Sequence, residues 1–126
     1  MRLGTDIIEI QRIALACERN ALFPSKILSQ SELDLYESMP QTRRFEFLAG
    51  RFSAKEAYAK ALGTGIGRLK FTDLTILPDY FGKPILHEGP IVENVLVSIS
   101  HCKEYATATV IINAEKDEVE AAINRL

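Results

Sequence analysis

The chain has 126 residues, 47% of them hydrophobic and 25% charged, with a formal net charge of -2. That length and composition fit one globular domain over 1–126, too short for two cores, and the slight acidic balance argues against bulk nucleic-acid binding. There is no run of about 18 apolar residues to cross a membrane. The N-terminal MRLGTDIIEI carries Asp6 and Glu9, so it does not read as a signal peptide. Cys17 and Cys102 share no metal-type spacing and read as reduced thiols of a cytoplasmic protein.

RLGTDIIEI opens as a strand, with Leu3, Thr5 and Ile7 alternating against Gly4, Asp6 and Ile8. From Glu9 the period changes: Ile10, Ile13, Ala14 and Cys17 predict a helix to about Arg19. FPSKIL is expected to break it. Ser29 and Glu32 then form the S-x-x-E capping box of a short helix through SELDLYES, which Pro40 ends. A long helix follows from about Thr42 to Leu62. Ala54, Ala57, Tyr58, Ala61 and Leu62 make its buried stripe, and Phe52, Glu56, Lys60 and Gly63 fall on the opposite side.

The second half reads as strands. FTDLTIL and KPILH flank the turn PDYFG, and VLVSIS and YATATVII flank HCKE as an antiparallel pair. A last amphipathic helix, about 114–126, carries Val119, Ala122, Ile123 and Leu126 at helical spacing. The predicted class is α+β, an N-terminal strand and helices followed by a small, mainly antiparallel sheet.

Candidate chemistry gathers around the end of the long helix. GTGIG follows a helix, so it fits neither the dinucleotide fingerprint nor the P-loop. Gly63 reads as a left-handed helix stop. The helix end would repel phosphate unless cations such as Lys55 and Lys60 compensate. Glu56 and Lys60 stand four apart, which on an open surface is an ion pair worth only about 0.2–0.5 kcal/mol. Phe52 on the same side needs cover from a partner chain or a ligand, and a covered Glu56 becomes a functional candidate.

Asp6 reads either as a cap of the following helix or as a second carboxylate facing Glu56. Two carboxylates and water suit Mg²⁺, which completes its sphere with substrate phosphate oxygens. His101, with His87 as its only companion, has no zinc spacing and reads first as a hydrogen-bonded structural residue.

Taken in order, GTDIIEIQRI, FLAGRFSAKEAYAKALGTGIG, GKP and VSISHCKEYATA closely resemble the holo-(acyl-carrier-protein) synthases, the short 4'-phosphopantetheinyl transferases of fatty acid biosynthesis. The resemblance spans about residues 1–112, and R-F-x-x-K-E-A-x-x-K-A is its most specific part. It implies transfer of the phosphopantetheine arm of coenzyme A to a serine of apo acyl carrier protein, with release of adenosine 3',5'-bisphosphate. Asp6 and Glu56 would hold Mg²⁺ with the pyrophosphate, and Lys60 would neutralise the phosphates and leaving group. Arg51, Gly82, Lys83, Pro84 and His101 would lie along the adenosine and its 3'-phosphate, and Gly63 would let backbone approach the ligand. Arg12, Arg19 and Lys26 would meet the acidic carrier, with Leu22 and Phe23 interrupting that cluster. The resemblance also implies a homotrimer whose active sites are shared between neighbouring subunits. The competing reading is a non-catalytic module that holds coenzyme A, a nucleotide or an acidic protein in the same cleft; metal dependence separates the two.

Overall fold

The computed structural model describes residues 1–126. Strand β1 (Arg2–Glu9) runs directly into helix α1 (Ile10–Arg19). Helices α2 (Phe23–Ile27), α3 (Gln30–Ser38) and α4 (Gln41–Leu62) follow, then a 3-10 turn at Phe71–Asp73. Strands β2 (Thr75–Pro78), β3 (Pro84–Glu88), β4 (Val95–His101) and β5 (Tyr105–Ile112) lead to helix α5 (Lys116–Asn124). The class is α+β, as expected, with two departures in the local assignment. FPSKI forms α2 rather than a break, because Pro24 sits at the helix start, where its missing N–H is no loss. FTD closes a 3-10 turn instead of extending β2.

The strands form two antiparallel sheets rather than one. The first has the order β1-β5-β4 and the second is the β2-β3 hairpin. The last strand therefore returns to pair with the first, with Asp6 opposite Ala108. Alternation assigns the two faces of the larger sheet. Gly4, Asp6, Ala106, Ala108, Val110, Ile112 and Val97 turn inward, whereas Leu3, Ile7, Leu96 and Tyr105 are exposed on the outer face.

Helix α4 lies between this sheet and the layer made by α1, α2 and α3. The expected stripe is buried, but burial extends around the helix and takes in Phe47–Arg51, Ser53–Lys55 and Ala59 as well. One consequence corrects a sequence expectation. Lys55 is fully buried and cannot face a phosphate; its Nζ donates to the Ile27 carbonyl and to Glu32 Oε1, at 2.7 and 2.6 Å. Phe52 also finds its cover within the chain, stacking on Phe71 with ring centroids 5.0 Å apart.

Two features at the ends of these elements set the site. At Gly4, an added Cβ would collide with the Ala57 carbonyl oxygen and lie 2.7 Å from the Ala61 nitrogen, so β1 crosses α4 in backbone contact. Gly63, with φ of +99°, ends α4 as the predicted left-handed stop. The N–H groups of Gly63, Thr64 and Gly65 all converge on the Ala59 carbonyl. The Ala61 and Leu62 carbonyls are taken by Arg2, whose Nε donates to Ala61 O at 2.7 Å and Nη2 to Leu62 O at 2.9 Å.

Candidate active site

Asp6 projects from the inner face of β1 toward α4. Its backbone is fixed from two directions, since its carbonyl accepts from Ser53 Oγ at 3.0 Å and from Thr107 Oγ1 at 2.8 Å. Lys60, further along α4 than Ser53, donates to the Thr5 carbonyl at 3.0 Å and stands 3.4 Å from Asp6 Oδ1. Asp6 is thus no cap of α1; Glu9 holds the N-cap position, without a side-chain cap. Asp6 Oδ2 is buried and has no hydrogen-bond partner in the protein. A buried carboxylate oxygen left unpaired is costly, and it fits a site whose last ligand is not protein.

Glu56 completes the group. Its pKa is raised, first by burial and then by the nearby Asp6 carboxylate, with Lys60 pulling the other way. Two carboxylates held near each other repel unless a proton or a cation sits between them. No group of three or more acidic, histidine or cysteine side chains gathers anywhere in the chain. The donor set is therefore two carboxylates with one orphan oxygen, which fits Mg²⁺ and leaves the rest of its sphere to water and phosphate oxygens. Sheet and helix thus bring Asp6, Glu56 and Lys60 together. Gly63 ends the same helix just beyond Lys60 and is exposed to solvent.

A second group gathers elsewhere. Arg51, Gly82, Pro84 and His101 line one cleft of about 200 Å³ together with Arg43, Glu46 and Phe47. Arg51 is buried, lies over the Phe47 ring at 4.3 Å and donates its Nε to the Ile76 carbonyl at 2.9 Å. Burial lowers its pKa to about 10, against the opposing pull of Glu32, so it stays a cation at neutral pH. His101 Nε2 stands 3.8 Å from Glu46 Oε2. Lys83 does not join this cleft; it borders a separate one with Leu96 and Ile111 on the outer face of the sheet. Neither cleft includes Asp6, Glu56 or Lys60. Arg12, Arg19 and Lys26 are all exposed, on α1 and α2.

Several residues of the site carry no signal in the sequence. Ser53 and Thr107 fix Asp6 across separations of 47 and 101 residues. Arg2, and not Lys55, joins Lys60 as a cation at the end of α4.

The chain belongs to the 4'-phosphopantetheinyl transferase superfamily, whose family model matches residues 2–110. It is 50% identical over 113 residues to the holo-(acyl-carrier-protein) synthase of Streptococcus pyogenes serotype M5 (strain Manfredo), covering 90% of this chain and 96% of that relative. Its fold is similar to the holo-(acyl-carrier-protein) synthase of Bacillus anthracis str. Ames in complex with CoA (3',5'-ADP). The TM-score is 0.83 at 42% identity, over 90% of this chain and 96% of that one. The Helicobacter pylori holo-(acyl-carrier-protein) synthase in complex with coenzyme A gives 0.77 at 31% identity, over 88% and 99%. The chain is an enzyme of this family, a transferase.

Proposed function

We propose that this chain transfers the 4'-phosphopantetheine arm of coenzyme A to a serine hydroxyl of apo acyl carrier protein in a Mg²⁺-dependent reaction. The serine oxygen bonds to the phosphorus that carries the arm, the bond from that phosphorus to the bridging oxygen breaks, and adenosine 3',5'-bisphosphate leaves as the serine proton is released. The observation that carries the metal reading is Asp6 Oδ2, buried without a partner beside the Glu56 carboxylate. Asp6 and Glu56 would hold the ion, which supplies charge neutralisation on the pyrophosphate oxygens. Lys60, exposed above Asp6, adds a positive charge where negative charge develops on the leaving group. Arg51, Gly82, Pro84 and His101 receive the adenosine end in their shared cleft, and Arg12, Arg19 and Lys26 meet the acidic carrier.

The same reading makes the active enzyme a homotrimer with sites between subunits. Two facts support it: the metal group and the Arg51 cleft are separate on one chain, and the outer sheet face leaves Leu3, Ile7 and Leu96 more than half exposed. No helix of the chain is long and apolar enough to cross a membrane.

Incubation with apo carrier protein, coenzyme A and Mg²⁺ should add one phosphopantetheine mass to the carrier, and EDTA should prevent it. Coenzyme A binding that ignores EDTA, with no adenosine bisphosphate formed, would establish the binding module instead.

A further inference from the structure

The capping-box glutamate of α3 does more than start a helix. Glu32 is fully buried, and its two oxygens are divided between partners. Oε1 accepts from the Ser29 N–H at 2.8 Å and from Lys55 Nζ at 2.6 Å, while Oε2 accepts from the Ile76 N–H at 2.8 Å. The carbonyl of the same Ile76 accepts from Arg51 Nε at 2.9 Å. Four residues from α3, α4 and β2 thus form one continuous chain: Lys55, Glu32, Ile76 and Arg51.

Ile76 also belongs to the hairpin that brings Gly82 and Pro84 to the Arg51 cleft, pairing with Leu86 across it. One residue's backbone therefore registers two walls of the cleft against each other. Capping alone asks only for Glu32 Oε1 and the Ser29 N–H. It requires neither a buried lysine nor a bond to β2.

We propose that the buried Glu32–Lys55 pair is a positioning device for coenzyme A recognition, aiming the Arg51 guanidinium and seating the β2–β3 hairpin through the Ile76 backbone. This rests on Arg51 contacting coenzyme A. Neither Glu32 nor Lys55 touches substrate. Lys55 balances the Glu32 charge, Glu32 fixes Ile76, and Ile76 fixes Arg51.

The test exploits a property of buried ion pairs: replacing both partners with apolar residues of similar size often preserves stability. Glu32→Leu combined with Lys55→Met should still fold, with a melting temperature lowered by the loss of partners for the Ser29 and Ile76 N–H groups and the Ile27 carbonyl. Its coenzyme A affinity by calorimetry should nevertheless fall about tenfold, the loss expected when a charge-assisted hydrogen bond is misaligned. The KM for coenzyme A should rise by a similar factor, with kcat little changed. Arg51→Ala should weaken binding by a like amount, and the triple variant should lose less than the product of the two losses, because the part of the effect that runs through Arg51 is already gone. If the apolar pair does not fold, Glu32→Asp gives the same reading, since it keeps the charge but is a methylene short of spanning Lys55 and Ile76. Wild-type affinity in the folded variant, or full multiplication of the two losses in the triple variant, would overturn the proposal. Tight coenzyme A binding by wild type without transfer to the carrier would instead sink the transferase reading and leave the positioning device standing.

Discussion

Lys60 pairs with Asp6 on a different element, and not with Glu56 one turn back on its own helix. Its Nζ reaches across to the Thr5 carbonyl, so the ammonium spans strand and helix. Glu56 makes no ion pair in the protein, feeling Lys60 only at longer range, and lies near a second carboxylate whose Oδ2 has no partner. The sequence order Glu-x-x-x-Lys suggests a helical ion pair; the strand packed against that helix redirects it.

Glu56→Gln removes a charge and keeps the shape. Transfer to the carrier should fall by roughly 100-fold or more, as when a group stabilising transition-state charge is lost, with circular dichroism unchanged.

The same variant has a stability signature without metal. The Glu56 pKa is raised in the folded state from its ordinary 4.5, so the carboxyl's favourable contribution is complete below the unfolded value and is lost as pH rises through the folded one. Glutamine carries no such loss. In EDTA, the melting temperature of Glu56→Gln relative to wild type should therefore be higher at mildly alkaline pH than at acidic pH. A difference that is constant with pH would contradict the burial and Asp6 repulsion described here.

Ile7→Lys places a charge on the edge strand β1 of the outer sheet face, where Ile7 is exposed in the single chain. Sedimentation should show a trimer for wild type and a smaller species for the variant, with loss of transfer. Retained assembly would remove that face from the interface.

Gly4→Ala introduces a methyl into space that the Ala57 carbonyl already fills. Backbone cannot swing aside as a side chain can, so urea unfolding should show a loss of about 3 kcal/mol or more.

Deleting residues 114–126 removes α5, which lies beyond the family match and buries Val119 and Ala122. The melting temperature should drop, because those side chains cover the larger hydrophobic cluster. Transfer measured at low temperature should persist, since α5 contributes no residue to either site group.

Local pattern carried the β4–β5 hairpin and the helices other than α2, because their periodicity is written within a few residues of each other. The capping box at Ser29 and Glu32 and the stop at Gly63 were legible for the same reason. What could not be read were relations across the fold. The lysine beside Glu56 in the sequence turned out to serve Glu32 from inside the protein, and Phe52 found Phe71 rather than a ligand. Both outcomes depend on a second layer packing against α4, which no periodicity within α4 announces. The residue-by-residue resemblance supplied the grouping of Asp6 with Glu56, where spacing alone left Asp6 as either a cap or a ligand.

Arg2 closes the far end of the same helix by bonding two of its last carbonyls. A helix C-terminus ordinarily presents partial negative charge, a poor neighbour for a pyrophosphate. Here Arg2 sets a guanidinium against those carbonyls, next to a loop some sixty positions downstream. A pyrophosphate brought to the glycine loop would meet that cation only while β1 is docked on α4, so its affinity would be coupled to the seating of the first strand.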